Sequence, residues 1–214
     1  MCREVEIWLH ASAPTPRSPL PPASALEPHP ARGLPVVLWR VEVLGTPAWR
    51  ERCARCGQPS AHESTARFRV NSNGERHDLW LLYRCPRCGD TRKRRLAQRC
   101  RAGELPAGAL EPSLHDDPTW ARRHAFELAS HEPLTYRVLR PTLPAEGELS
   151  VRIAQPEPCG ERWDRFLARE VGWARGRVAR AVETGALRLD AGASLARPLR
   201  DGQGFTLAKP ARGE

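Results

Sequence analysis

The chain has 214 residues, of which 21 are proline and 16 are glycine, so less of it is available for a core than its length suggests. The 34 basic and 25 acidic side chains give a formal net charge of +9, which favours nucleic acid, a ribosome or an anionic membrane surface as partner. No apolar run approaches the roughly 18 to 20 residues that a membrane-spanning helix needs, so that class is excluded.

The N-terminal residues 1–35 are predicted to form a disordered arm, because residues 11–35 are dense in proline and lack helical or strand periodicity. Residues 1–13 end in Ala-Ser-Ala, which resembles a signal-peptide cleavage site. However, Glu4 and Glu6 lie where a signal peptide is positively charged, and the apolar core would be only Ile7 to Leu9. We expect this segment to stay uncleaved and the protein to be cytoplasmic.

Residues 36–132 are predicted to form one domain that begins with a strand. Val37, Trp39, Val41 and Val43 alternate with more polar neighbours, as in a half-buried strand over residues 36–44. Further on, Asn73-Gly74 is a strong hairpin signal between the β-prone runs "ARFRV" and "DLWLLYR".

Two copies of the pattern CxRCG flank this hairpin and contain Cys53, Cys56, Cys85 and Cys88. Two residues between cysteines let both thiolates reach one ion at about 2.3 Å, and the following glycine permits a left-handed turn. Seven cysteines are an odd number, so reduced, metal-binding use fits better than a disulfide framework. Because four thiolates leave no open position, we predict a zinc ribbon with one structural Zn²⁺, with iron as the alternative.

The exit of the predicted ribbon, residues 84–101, carries eight basic residues and one acid. An even spread of the net charge would place less than +1 in these 18 residues, whereas they carry +7. A solvated face is the ordinary explanation of a charge run, but its position beside a zinc ribbon favours nucleic-acid contact by Arg92, Lys93, Arg94 and Arg95.

A helix is predicted from Asp117, as N-cap, and Pro118, at the first helical position, to about Ser130. An enzyme such as a nuclease or RNA modifier is an alternative here, because titratable side chains cluster in the sequence: His115, Asp116, Asp117, His124, Glu127 and His131. Capping explains Asp117 and helix position explains His124 and Glu127, and no nucleophile elbow, P-loop or open metal motif accompanies them. We therefore expect no catalytic residues.

Residues 133–158 are predicted to form a proline-rich junction that contains the short strands "TYRVL" and "ELSVRIA". Residues 159–208 are predicted as helix, helix, strand, strand, with the helices stopped by Gly172 and Gly185, and residues 209–214 as a tail. In the second helix Arg177 and Arg180 face away from the apolar stripe, and Arg175 stands at the helix start, so one face is basic.

This last segment resembles the RNA-binding domain first known from ribosomal protein S-four. The matching elements are Arg162-Trp163-Asp164 with Leu167, then Arg175, "ETGALRL" and "LRDGQGFTL", although Ala174 stands where a serine is usual. The resemblance implies that Arg162, Arg175, Arg177 and Arg180 contact phosphates of structured RNA, which suits the planar guanidinium. Asp164 is expected to start the helix or orient an arginine.

The runs "LWRVEVLGTPAWRERCARCG", "FRVNSNGERHDLWLLYRCPRCGDT" and "HDDPTWARRHAFELA" are similar to an uncharacterised bacterial family, domain of unknown function ten-sixty-two. With the tail included, this similarity spans residues 36 to 208. The expected fold class is α+β: a small zinc ribbon with a β-hairpin and a helix, followed by an S-four-like module.

The leading functional hypothesis is a non-enzymatic, monomeric protein that binds ribosomal or transfer RNA, alone or within the ribosome, through both modules. The alternative is a zinc-ribbon DNA-binding or transcription-associated adaptor, in which the ribbon and "RKRR" bind and the tail only packs.

Overall fold

The structure, a computed structural model, describes residues 27–28, 35–105, 108–128, 133–141 and 147–209. These residues are α+β, with more sheet than helix, and they divide into two units. The cysteine unit comprises described residues between 46 and 128, and the aromatic unit comprises those between 27 and 45 and between 133 and 209. The predicted arm and tail lie outside the described residues, except for residues 27, 28, 35 and 209.

Strands and helices are numbered in chain order across the described residues. The strands are β1 (Glu27–Pro28), β2 (Pro35–Val43), β3 (Trp49–Arg52), β4 (Pro59–Asn73), β5 (Arg76–Arg84), β6 (Thr91–Arg101), β7 (Tyr136–Leu139), β8 (Gly147–Ala154), β9 (Leu187–Leu189) and β10 (Gly204–Lys209). The α-helices are α1 (Leu110–Leu114), α2 (Pro118–Leu128), α3 (Trp163–Val171) and α4 (Arg175–Glu183). Within the described ranges no helix is long and apolar enough to cross a bilayer.

The cysteine unit is built on an antiparallel sheet in the order β3-β4-β5-β6. The predicted hairpin is confirmed as β4 and β5, in which Asn73 pairs with Arg76 around a turn that begins at Gly74 with φ +61°. The basic run after the second CxxC pair forms β6. It lies at one edge of this sheet and pairs with β5.

One face of this sheet packs against the helices. Leu79, Leu81 and Tyr83 of β5 are buried there together with Ala121 and Ala125 of α2. The predicted N-cap of α2 is confirmed, since Asp117 Oδ1 accepts a hydrogen bond of 2.8 Å from the Trp120 backbone N–H. Asp116 Oδ1 accepts one of 2.7 Å from the Phe68 backbone N–H, where the register of β4 shifts. Two adjacent acids therefore fix the helix start and the bulged strand.

The aromatic unit is built on a sheet in the order β1-β2-β8-β10-β9, with β7 paired to β2. The β2–β8 pair is parallel, and β8–β10 and β9–β10 are antiparallel. Gly204, the first residue of β10, lies close to the backbone of β8. A Cβ atom added to Gly204 would lie 2.2 Å from the Val151 carbonyl oxygen.

The boundaries of the two units differ from the predicted domains 36–132 and 159–208. β2 lies in the aromatic unit, beside β8, although it was expected in the zinc-ribbon domain. The predicted junction 133–158 supplies β7 and β8, and β8 lies between β2 and β10. Alternation in residues 36–44 shows that a strand exists but does not identify its partner, because parallel pairing joins residues more than 100 positions apart.

The C-terminal half of the aromatic unit follows the predicted order of two helices and two strands. α3 ends at Gly172, which adopts the left-handed conformation with φ +75°. Trp163 and Phe166 of α3 are fully buried and lie 5.9 Å apart between ring centroids. Phe205 of β10 lies 5.4 Å from Trp39 of β2 and 6.2 Å from Trp163. Aromatic edge-to-face packing thus joins α3 to the sheet.

Candidate metal centre and basic surfaces

The four predicted cysteines meet at one end of the sheet in the cysteine unit. Cys53 and Cys56 lie in the β3–β4 loop, and Cys85 and Cys88 lie in the β5–β6 loop. All four Sγ atoms lie within 4.8 Å of one another, with 3.6 Å between Cys53 and Cys88 and 4.0 Å between Cys56 and Cys85. A tetrahedral ion with bonds of about 2.3 Å holds its sulfurs about 3.8 Å apart. The cluster therefore has the dimensions of a site for a single metal ion.

The two cysteine loops repeat the same backbone hydrogen bonds. Gly57 N–H donates to the Cys53 carbonyl at 2.9 Å, and Gly89 N–H donates to the Cys85 carbonyl at 3.0 Å. Both glycines have positive φ, +67° and +72°, which confirms the expected left-handed turns. The duplicated sequence CxRCG thus produces two copies of one loop.

The environment of the sulfurs favours a bound cation. The Ser60 hydroxyl, 3.2 Å from Cys85 Sγ, and hydrogen bonds from the Cys88 and Arg87 backbones outweigh burial and lower the pKa of the Cys85 thiol to about 6. At Cys88 the hydrogen bond from the Asp90 backbone lowers the pKa, but burial and the neighbouring cysteine sulfurs outweigh it and raise the pKa to about 11. A second thiolate is therefore costly beside the first unless a cation neutralises both. Divalent metal binding supplies that charge.

The four basic residues predicted to contact nucleic acid, residues 92–95, lie on β6. They do not form one cluster, because successive side chains of a strand point to opposite faces. Arg92 lies 3.8 Å from a Glu51 carboxylate oxygen, and its guanidinium donates to the Arg52 carbonyl at 3.2 Å. The Arg94 guanidinium lies 5.0 Å from the ring centroid of Trp49. Lys93 and Arg95 are exposed on the other face of β6.

A second basic surface is formed by α3 and α4 around Asp164. The Asp164 side chain is only 10% exposed, and its Oδ2 accepts hydrogen bonds from Arg162 at 3.2 Å and from Arg175 at 2.5 Å. Burial raises the pKa of this carboxyl, but Arg175 and Arg162 outweigh burial and lower the pKa below its usual range. Asp164 thus orients two arginines, as expected.

The remaining predicted arginines of α4 are exposed. The Arg177 guanidinium lies 4.6 Å from the ring centroid of Trp173, and Arg180 follows one turn later. The first turn of α4 contains no acid, and its N-cap Ala174 makes no side-chain cap hydrogen bond. The structure therefore brings Arg162 and Arg175 together and leaves Arg177 and Arg180 on an exposed face of α4.

The titratable cluster considered for catalysis has structural contacts in the described residues. Asp116 and Asp117 accept the backbone hydrogen bonds given above. His124 Nδ1 lies 2.6 Å from a Glu127 carboxylate oxygen. Burial raises the pKa of Glu127, but His124 and Arg123 together outweigh burial and lower it. His115 follows α1 and lies 3.4 Å from Glu111 of that helix, and His131 lies outside the described residues.

Trp80 and Trp173 were not predicted as site residues, yet both have a cation near the ring. The alternation of "DLWLLYR" is a signal that could have separated Trp80 and Leu82 from the buried side chains of β5. No comparable signal marks Trp173, which lies between the two helices.

A family model described as "Protein of unknown function (DUF1062)" matches residues 70–192, more than half of the chain. The match includes Cys85, Cys88 and both helices α3 and α4, and it begins after Cys53 and Cys56. No curated protein and no solved structure matches the chain.

Proposed function

The chain belongs to the DUF1062 family, whose function is unknown, and we propose that it is a non-enzymatic protein that binds structured RNA, ribosomal or transfer RNA. We place it in the cytoplasm as a monomer. In this proposal an S-four-like helical pair makes the principal phosphate contacts, and a zinc ribbon stabilises the cysteine unit.

The observation that carries the proposal is the arginine arrangement around Asp164. One buried carboxylate holds the guanidinium groups of Arg162 and Arg175, whose side chains are still 43% and 57% exposed. Each guanidinium has five N–H donors, so donors remain for a phosphate after the contact with Asp164. Because Asp164 already restricts both side chains, less conformational entropy is lost when a phosphate binds.

The charge of this surface suits a polyanion. Arg177 and Arg180 add two cations to the pair held by Asp164, which leaves a net charge of +3 on these five side chains. Arg177 is also positioned by its contact with the Trp173 ring. Double-stranded RNA offers phosphates, 2′-hydroxyls and shape rather than readable major-groove edges, and exposed guanidinium groups on a short helix suit that target.

We propose Zn²⁺ as the ion of the cysteine cluster and a structural role for it. Four thiolates complete a tetrahedron and leave no position for water or substrate. The ion would join the β3–β4 loop to the β5–β6 loop and so hold the two loops together at one end of the sheet. Metal analysis of the purified protein identifies the ion, with one zinc per chain expected and iron as the competing result.

The RNA-binding proposal is tested with the triple variant Arg175→Glu/Arg177→Glu/Arg180→Glu. Affinity is measured for transfer RNA and for an RNA hairpin of about 16 base pairs at several salt concentrations. Wild-type protein should bind both, with affinity that falls steeply as salt increases, because phosphate contacts release counterions. The triple variant should lose most of this affinity and salt dependence.

The matched control is Arg137→Glu/Arg152→Glu/Arg200→Glu, which changes the net charge equally at exposed arginines outside α3 and α4. It should bind much more tightly than the α4 variant. Equal losses in both variants would mean that net charge alone drives binding. If wild-type protein does not bind structured RNA at low salt, the proposal is wrong. Unchanged affinity in the α4 variant, with a preference for duplex DNA, would favour the adaptor.

A further inference from the structure

The sheet of the cysteine unit has a second face that neither the metal cluster nor the core uses. Trp80 and Leu82 of β5 are partly exposed, whereas Leu79, Leu81 and Tyr83 are buried. Because successive strand residues alternate, Trp80 and Leu82 point away from the core. We call this surface the open face and define it by Arg69, Trp80, Leu82, Lys93 and Arg95.

Strand register places cations on both sides of the Trp80 ring. Trp80 is directly opposite Arg69 of β4 and directly opposite Arg95 of β6. Residues that oppose each other in an antiparallel pair share a face, with Cβ atoms about 4.5 to 5.5 Å apart. Lys93, which opposes Leu82, brings its Nζ to 5.9 Å from the centroid of the Trp80 ring. Trp80 is therefore flanked by Arg69 and Arg95 on the neighbouring strands, and its ring has the Lys93 ammonium nearby.

The acids on the same face lie outside this central row. Glu63 opposes Arg84, and Asp78 opposes Asn71. Asp78 also accepts a hydrogen bond of 2.8 Å from the Arg99 backbone N–H, so its carboxylate has a structural role. The row of Arg69, Trp80 and Arg95 contains no acid. Its charge is complementary to a polyanion.

On the opposite face of β6, the basic side chains make contacts within the cysteine unit. Arg92 contacts Glu51 and a backbone carbonyl, and Arg94 lies over Trp49 within the packed side of the unit. Lys93 and Arg95 belong to the same run but are exposed. β6 thus carries two basic side chains with structural contacts on one face and two exposed basic side chains, available to a ligand, on the other.

We propose that the open face binds a single-stranded segment of RNA, with an unpaired base stacked on Trp80 and its phosphates near Arg69, Lys93 and Arg95. An aromatic ring in a basic groove is the usual combination for single strands, since every base has a face that can stack. A duplex keeps its bases inside the helix and cannot make this contact. The inference rests on the proposed RNA-binding function and gives the cysteine unit its own ligand class.

The test uses the full-length, metal-loaded protein and two fluorescent RNAs, an oligouridine of about 8 nucleotides and a hairpin of about 16 base pairs. Trp80→Leu keeps an apolar side chain but removes the ring, and it should weaken oligouridine binding about tenfold or more. Trp80→Phe should restore most of the affinity. Hairpin binding, assigned to α4, should change little in either variant.

The matched tryptophan control is Trp173→Leu, which should weaken hairpin binding and leave oligouridine binding intact. A second variant, Lys93→Ala/Arg95→Ala, should reduce the salt slope for oligouridine by about 1.4, the value for two lost phosphate contacts on a single strand. Arg137→Ala/Arg188→Ala changes the net charge equally in the aromatic unit and should not alter that slope. These cation variants test the inference even if Trp80→Leu does not fold.

Two results would overturn the inference while leaving the proposed function in place. One is hairpin binding by wild-type protein without measurable oligouridine binding. The other is oligouridine affinity that Trp80→Leu and Lys93→Ala/Arg95→Ala leave unchanged. Binding of neither RNA would contradict both proposals.

Discussion

The cysteine unit gathers four sulfur atoms at one end of a sheet whose buried core contains two aromatic side chains, Phe68 and Tyr83, among leucines and alanines. The aromatic unit instead buries Trp39, Trp163, Phe166 and Phe205, whose rings contact one another. Large aromatic side chains contribute more apolar burial than alanine does. With the proposed zinc bound, we expect the metal to supply stability in the cysteine unit that aromatic packing supplies in the aromatic unit.

The strongest test of this comparison is loss of one sulfur. We expect Cys85→Ser to lose the metal and to unfold the cysteine unit, since structural zinc contributes about 10 kcal/mol or more to the folding of small domains. The aromatic unit should remain folded. Metal analysis and hydrogen exchange resolved by residue measure the two effects separately.

The control for this substitution is Cys159→Ser, because Cys159 is a buried cysteine of the aromatic unit whose pKa is raised mainly by burial. It should keep the full metal content. Unfolding of both units in Cys85→Ser would show that they are one cooperative structure and would contradict the comparison.

The reciprocal test removes an aromatic ring. Phe166 is fully buried between Trp39 and Trp163, with ring centroids 6.2 Å and 5.9 Å away. Phe166→Ala should destabilise the aromatic unit by about 3 to 5 kcal/mol through lost burial and the remaining cavity. Denaturant unfolding should show this loss while the metal content stays unchanged. A loss of metal in this variant would mean that the two units depend on each other.

A smaller effect is expected from the carboxylate that positions the arginines. Asp164→Asn should cost about 1.5 to 3 kcal/mol, the usual contribution of hydrogen bonds to a charged group. The pKa of Asp164 is lowered in the folded protein, so its stabilisation is present above about pH 4 and is lost as the pH falls through the folded pKa.

Unfolding of the aromatic unit measured between about pH 3 and pH 7 tests this dependence. The difference between wild type and Asp164→Asn should be constant above about pH 4 and should shrink as the pH falls below that value. A constant difference at every pH would show that the carboxylate charge is not what stabilises the site. Arg165→Ala, at the exposed neighbour of Asp164 in α3, should leave the pH dependence unchanged.

Local signals in the sequence predicted most elements of both units. The spacing of Cys53, Cys56, Cys85 and Cys88 predicted the cluster, because the CxxC pattern and the following glycine determine loop geometry within a few residues. Gly172 marked the end of α3 for the same reason. Each of these signals is contained in a short stretch of chain.

Features that depend on distant partners were not predictable in this way. The parallel partner of β2 is β8, more than 100 residues away, so the alternation of residues 36–44 could not assign β2 to the aromatic unit. Likewise, the division of Arg92 and Arg94 from Lys93 and Arg95 follows from β6 being a strand, whereas the sequence showed only a dense basic run.

The smallest predicted effect concerns the start of α2, where Asp117 caps the helix and Asp116 contacts the distant strand β4. Asp117→Ala removes the hydrogen bond to the Trp120 N–H and should cost the cysteine unit about 1 kcal/mol. Asp116→Ala should cost at least as much, because its carboxylate accepts from Phe68 in another strand and its loss leaves that N–H without this acceptor. Thermal unfolding of the metal-loaded protein compares the two variants. If the cost of Asp117→Ala clearly exceeded that of Asp116→Ala, local capping rather than the contact with β4 would dominate at this position.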